Sequence, residues 1–379
     1  MYAIRCLAVL LLLVPATAAC GGGEERNGSS LSLEGETFSI QPAGQGGRLV
    51  GYDASSGERR FSLPPGLTTA DGTRHFASTV GRSGTTLGQF DASSGEIVRT
   101  VKLRGRWSLA GLSPNGRWLA LERATQTPGR THIAITRADS GRPEHVLELG
   151  GDFDVDAVSA DGRSLFLIEH LADGRYLIRL YDLANERLLR GSLREKGSEQ
   201  IMTGYAWSGL ASPDGKWLLT LFIDTRRRNA FVHALNLKTG TPACIDLPSG
   251  AGGFEMLKRY SLSLHPGGDH LFAVNPALGV VADVDLRRLR VSNEVEFART
   301  AGAVSTVSAI SNDGRTLYFA SGSRLWGFDS PQGRVRGPYS VDGSVAGVDF
   351  SRDGRRLYAV TVGGRVILFD AAGGEKIAA

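Results

Sequence analysis

Cysteine is scarce, with three in 379 residues, and two of these, Cys6 and Cys20, fall within the first twenty positions. Cys244 therefore has no partner for a structural disulfide, and its place between Ala243 and Ile245 reads as buried packing in a strand. Long apolar runs are absent too: the N-terminal run, residues 7–14, has eight residues, against the roughly 20 needed to span a bilayer. Charge of one sign is weak. The formal net charge of +4 comes from 43 basic and 39 acidic residues spread along the chain, which argues against a nucleic-acid partner. No serine stands in a Gly-x-Ser-x-Gly frame, so a nucleophile elbow is excluded. No P-loop or dinucleotide fingerprint leads from a strand into a helix. The seven histidines are scattered, and the nearest two, His265 and His270, bracket a glycine-rich turn where a turn role outweighs metal binding. No catalytic residue, metal site or cofactor is expected.

Glycine, by contrast, is abundant at 50 residues, costly in helices and natural in hairpins. Seven turns share one plan, at Asp71-Gly72, Asn115-Gly116, Asp161-Gly162, Asp214-Gly215, Gly267-Gly268, Asp313-Gly314 and Asp353-Gly354. In most of them Ser stands two residues before the Asp. The turn glycines are spaced 44, 46, 53, 53, 46 and 40 residues apart. An apolar run follows nearly every turn, as in Trp118-Leu119-Ala120-Leu121, Leu317-Tyr318-Phe319-Ala320 and Leu357-Tyr358-Ala359-Val360. A second hairpin recurs in each unit; Asp53-Ala54-Ser55-Ser56-Gly57 and Asp91-Ala92-Ser93-Ser94-Gly95 are identical, and looser copies continue to Asp370. Asp bonds its own backbone in such turns and Gly takes the left-handed conformation, so these carboxylates are structural. Each unit then holds four short antiparallel strands, A to D, which is the plan of a β-propeller blade. An all-β propeller follows. The second hairpin occurs eight times and the first seven, so eight blades are expected, with seven as the alternative.

The wording of the repeat, Ser-Pro-Asp-Gly-Lys/Arg and then a Leu-aromatic-Ala strand, resembles the bacterial YVTN and WD40-like (PD40) propeller repeats. That resemblance runs from about residue 36 to residue 370, and it implies fold far more than activity. At the N-terminus, Arg5, the short apolar run and the small residues Ala16-Thr17-Ala18-Ala19 before Cys20-Gly21-Gly22-Gly23 read as a signal peptide. The pattern resembles a bacterial lipoprotein signal, which implies that Cys20 is lipid-attached; Thr17 stands where that family has Leu. Ordinary secretory cleavage is the alternative. The expected organisation is a signal over residues 1–19, a Gly/Ser-rich tether over 20–30 and one propeller over 31–379. The chain would then be extracytoplasmic and lipid-anchored to the cell envelope, or else secreted or periplasmic, touching membrane through its anchor only.

Two constellations stand out. Asp152, Asp154 and Asp156 alternate with Phe153 and Val155 and would share one face of an inner strand. They start like a calcium loop, but Ala157 and Arg163 stand where its Gly and Glu belong; neighbouring arginines, a loop conformation or a cation would each answer the charge. The other is a sector of long connections, residues 195–204 and 249–258, on either side of Arg226-Arg227-Arg228. These lie on the D–A and B–C side, which varies, whereas the A–B and C–D side is dictated by turn geometry. A binding rim is expected there, with Arg226, Arg227, Arg228, Lys258 and Arg259 as cationic contacts and Tyr205, Trp207 and Tyr260 as apolar ones. Trp107 and Phe153 look like the same position as the Tyr205–Trp207 aromatics, which leaves repeat-wide packing open for them. An unknown protein or anionic ligand is the expected partner of a monomeric, non-catalytic platform. Two other readings rest on resemblance. One is a sugar-lactone hydrolase, which would need a His, Glu and Arg cluster. The other is an assembly scaffold like the quinoprotein-type lipoproteins, in which Phe61 stands nearest to the missing Trp.

Overall fold

The computed structural model describes residues 36–41, 47–125, 127–171, 175–193, 202–250, 252–300 and 305–378. The expected signal, the tether and Cys20 lie outside the described residues. Among those described, antiparallel strands make seven four-stranded blades. Blade 1 runs from the second half of Arg59–Thr68 through Arg74–Val80 and Gly84–Asp91 to Ile97–Arg104. Blade 2 spans Trp107–Leu112 to Pro143–Gly150, blade 3 Asp152–Val158 to Arg187–Leu188, and blade 4 Tyr205–Ala211 to Thr241–Asp246. Blades 5, 6 and 7 begin at Ser261–Leu264, Thr306–Ile310 and Val345–Phe350, and the last ends in the three-residue strand Lys376–Ala378.

The count of complete blades is thus seven, which corrects the expectation of eight. The reason lies at the first hairpin. Thr37–Ile40, Arg48–Asp53 and the first half of Arg59–Thr68 form a sheet with no inner strand, and Arg59–Thr68 then runs on without a break to become the inner strand of blade 1. This three-stranded partial sheet fills the position between blades 7 and 1. Phe38 stacks on Tyr358 of blade 7 at 4.1 Å, and Leu49 and Leu63 pack with Ala92 of blade 1. The Arg352 amide donates to Glu36 Oε1 at 3.0 Å, joining the two ends of the described chain.

Both faces of strand B are covered in blades 2 to 7, which explains why these strands read as unbroken apolar runs. In blade 6, Leu317 and Phe319 pack with Phe272 and Val274 of blade 5, while Tyr318 and Ala320 pack with Leu357 of blade 7. Each Leu, Val or Phe among them gains about 1.5–3 kcal/mol from full burial. Phe61 covers Gly95, whose φ of 74° fits the turn and where a Cβ would meet the ring at 2.4 Å. Thus an aromatic of one sheet closes over the hairpin glycine of the next.

The repeated turn is closed by side chains. In blade 4 the buried Ser212 hydroxyl donates to Asp214 Oδ1 at 2.6 Å and accepts the Trp217 amide at 2.8 Å. Asp214 Oδ1 also accepts the Lys216 amide. The same set recurs at Thr69, Ser113, Ser159, Ser311 and Ser351. A backbone bond then ties this turn to the second one, as in Leu237 N–H to the Lys216 carbonyl at 2.7 Å. Replacing Ser212 with Ala orphans the Trp217 amide in the interior and should cost about 1–3 kcal/mol. The exposed hairpin change Ser94→Ala should cost under about 0.5 kcal/mol. Urea unfolding of the two variants checks this; equal losses would mean that the buried hydroxyl is not what closes the turn.

Candidate functional site

The bonds between turns put the A–B and C–D turns at one end of each blade, and the B–C and D–A connections at the other. At that other end Thr85 caps a crossover, donating to the Gly105 and Trp107 carbonyls and accepting the Trp107 amide at 2.7 Å. Thr131 does the same for Gly151 and Phe153 one blade on. These two D–A crossings are therefore tight. The crossings that enter and leave blade 4 are long. Residues 194–201 of the first lie outside the described part; the second carries the short helix Phe254–Leu257.

Here the chain gathers most of the expected rim. Asp224 ends strand B of blade 4 and is buried; its Oδ1 accepts the amides of Arg226 at 2.9 Å and Arg227 at 3.1 Å, and its Oδ2 accepts the Thr203 hydroxyl. Burial alone would raise this carboxyl, but the Thr203 and backbone hydrogen bonds outweigh it and hold the group below its usual range. The hairpin is thus pinned by its backbone, and Arg228 at φ 56° completes the bend. On the next connection Ser249 donates to Asn229 Oδ1 at 2.8 Å and accepts the Ala230 amide, locking the arginine hairpin to residues 247–249.

Trp207 is the extra residue of a bulge in strand A, set between the pairs Ala206–Phe222 and Ser208–Leu221. Bulges re-aim a side chain, and Trp207 is 38% exposed where Trp107 and Phe153 are buried at 6% and 2%. Repeat-wide packing therefore does not extend to Trp207. Its ring meets Phe254 edge-on at 5.8 Å, and the Lys258 ammonium lies 5.7 Å from the Trp207 centroid and 5.5 Å from that of Phe254. Glu255 accepts from Lys258 at 2.8 Å. Tyr205, 63% exposed, starts the same strand. Arg259 is half-buried beside Lys258. Tyr260 is different: at 3% exposure it is a packing residue, its hydroxyl donating to the Pro248 carbonyl and pushed up in pKa by burial. Phe254 and Glu255 were missed in the sequence, because a four-residue helix leaves no periodicity to find.

The Asp152–Asp156 ladder does not converge. A bulge between Val155 and Ala157 makes Asp156 the unpaired residue, so strict alternation ends there. Asp154 Oδ2 lies 2.6 Å from His170 Nε2 on the adjacent strand. Asp156 turns inward, its Oδ2 enclosed without a hydrogen-bond partner, and burial raises its carboxyl from 3.8 to about 7. Among the described residues no three His, Cys, Asp or Glu side chains group as metal ligands. His265 takes the turn role, its Nδ1 accepting the Gly267 amide at 3.0 Å, while His270 pairs with Asp283 at 2.7 Å.

No family model matches the chain. No curated protein matches it either. Solved propellers do. Dihydro-heme d1 dehydrogenase NirN, in complex with DHE, is 16% identical with a TM-score of 0.54, over 93% of this chain and 74% of that one. The periplasmic gluconolactonase PpgL of Pseudomonas aeruginosa is 20% identical with a TM-score of 0.45, over 80% of this chain and 93% of that one. The Cps50 (Swd1) propeller domain of Myceliophteria thermophila is 13% identical with a TM-score of 0.45, over 80% and 94%. At these identities the likeness is one of fold, and the fold hosts both enzymes and non-enzymes.

Asp156 has a measurable consequence. An acid with its folded pKa above the unfolded value holds its proton more tightly when native, so stability declines as pH climbs from about 4 to about 7, then levels. Asp156→Asn should therefore raise stability by about 1–3 kcal/mol more at pH 8 than at pH 4.5. Denaturant titration at the two pH values reads this difference; an equal change at both would place the Asp156 proton elsewhere.

Proposed function

We propose that this chain is an extracytoplasmic propeller, lipid-anchored through Cys20, that binds an acidic protein surface through the loop end of blades 4 and 5 and does no chemistry there. The observation that carries this reading is the cluster of Trp207, Phe254 and Lys258 beside exposed Tyr205 and the Arg226–Arg228 hairpin. Aromatic rings carrying a cation, next to further guanidinium groups, are the side chains that dominate protein interfaces. The carboxylates in this sector serve structure: Asp224 closes the hairpin and Glu255 pairs with Lys258. The sector also departs from the repeat, through an exposed indole, a helix and two long crossings, while the turns at the other end of the disc follow one plan. Specificity belongs where a scaffold varies.

Changing Arg226, Arg227 and Arg228 together to Ser keeps the backbone amides that Asp224 holds, so the fold should be retained. Capture of the partner from detergent-solubilised membranes, with the native anchor, should weaken by about tenfold or more and should weaken in the wild type as salt rises. Trp207→Ser should add to that loss, with the melting temperature nearly unchanged in both variants. Capture that ignores salt and survives both changes would overturn the reading. A second expectation concerns the anchor: Cys20→Ala should move the chain from the membrane to the soluble fraction, and an unchanged distribution would refute attachment at Cys20.

A further inference from the structure

We propose that a groove at the turn end, between blades 1 and 2, is a separate site for a small ligand carrying two or more oxyanion groups. The groove holds about 940 Å³, within the range of small-molecule pockets, about 300–1,000 Å³. Blade 1 lends it Arg74 and Arg99, and blade 2 lends it Arg117 and Arg137. Three carboxylates also reach it, and each is already engaged. Asp91 Oδ1 accepts from both the amide and the hydroxyl of Ser93 and from the Ser94 amide, at 2.9, 2.6 and 2.9 Å. Asp161 Oδ1 accepts the Ser159 hydroxyl at 2.6 Å and the Arg163 amide at 3.0 Å. Asp139 is forked by Arg137, with both contacts at 3.0 Å. Arg74 lies near enough to Asp71, and Arg99 to Asp139, to lower those carboxyls. Neither they nor Arg117 makes an ion-pair contact among the described residues, and the four guanidinium groups outnumber the three carboxylates of the lining.

The repeat shows why charge is left over here. The residue after the turn glycine is basic in five blades, at Arg117, Arg163, Lys216, Arg315 and Arg355. In four of these an Asp two residues earlier, Asp161, Asp214, Asp313 or Asp353, sits beside the cation. Blade 2 has Asn115 instead. Its Oδ1 does the work of the carboxylate, accepting the Ser113 hydroxyl at 2.8 Å and the Arg117 amide at 3.1 Å. Its Nδ2 donates to the Ala160 carbonyl of blade 3 at 2.8 Å. The turn keeps its shape and loses its negative charge, next in sequence to Gly116 and Arg117 of the groove lining. Backbone bonds from Ala138 to Arg117 and from Ala92 to Thr73 fix both walls. Planar guanidinium groups on two walls suit phosphate or carboxylate oxygens held in pairs. This site shares no residue with the loop-end sector, and neither reading depends on the other.

Isothermal titration of the full chain with tripolyphosphate and with citrate, at low salt, tests it and separates a phosphate from a carboxylate ligand. At least one probe should bind with a millimolar or lower Kd. Asn115→Asp, which restores the carboxylate the other turns carry, should weaken binding by about tenfold, as should Arg99→Ser with Arg117→Ser. The melting temperature of the arginine pair should stay near that of the wild type, Asn115→Asp should lower it slightly through loss of the bond to Ala160, and the Arg226–Arg228 serine variant should bind the probe normally. Failure of both probes to bind with a Kd of about 1 mM or lower overturns the proposal. So does binding that Asn115→Asp and the arginine pair leave unchanged.

Discussion

The buried hydroxyl at the start of each A–B turn is the contact on which the architecture rests. It gives its proton to the turn Asp or Asn and takes the first amide of strand B, so one group satisfies a donor and an acceptor where water cannot reach. That pairing fixes the direction in which strand B leaves. Strand B then buries both its faces against two neighbouring blades. Where the hydroxyl is missing, at His265, the ring nitrogen accepts a turn amide instead, and a backbone bond from Leu286 to Asp269 still joins the two turns of that blade. Repeating one closure around the disc makes the turn end uniform and leaves its carboxylates little freedom for chemistry.

Both proposed sites accordingly fall at departures from the repeat. Blade 4 departs most. The Trp207 bulge turns an indole out of the packing layer, the Asp224 cap spreads an arginine hairpin, and the long crossing into blade 5 brings Phe254 and Lys258 over the indole. Each device is local and costs the core little, because strand B of the same blade, Trp217–Asp224, is buried along its whole length. Asn115 is the smaller departure on the opposite end, a change of charge without a change of shape.

Most of the fold is legible in the sequence because the turn chemistry is written in residues that few other structures demand together: Ser, then Asp two on, then Gly. The apolar runs after each turn report sheets covered on both sides. Blade count is less legible, since the Asp53 hairpin looks like its copies while the strand after it, Arg59–Thr68, serves two sheets. Period-2 reasoning places Asp152, Asp154 and Asp156 together but cannot see the bulge that sends Asp156 inward. Tyr260 and Trp207 are both aromatics near a strand start, and only the three-dimensional register separates the buried one from the exposed one. The groove arginines come from three strands and one turn of two blades, so nothing in their spacing draws them together.

The loop end of blades 4 and 5 is the proposed working surface. Site-specific photocrosslinking in cells tests it directly, with a photoreactive phenylalanine at Tyr205 and, as the control, at Gln332, which is exposed on the turn end of blade 6. Position 205 should give a discrete, salt-sensitive adduct and position 332 none. An adduct from position 332 alone, or the same adduct from both, would contradict it.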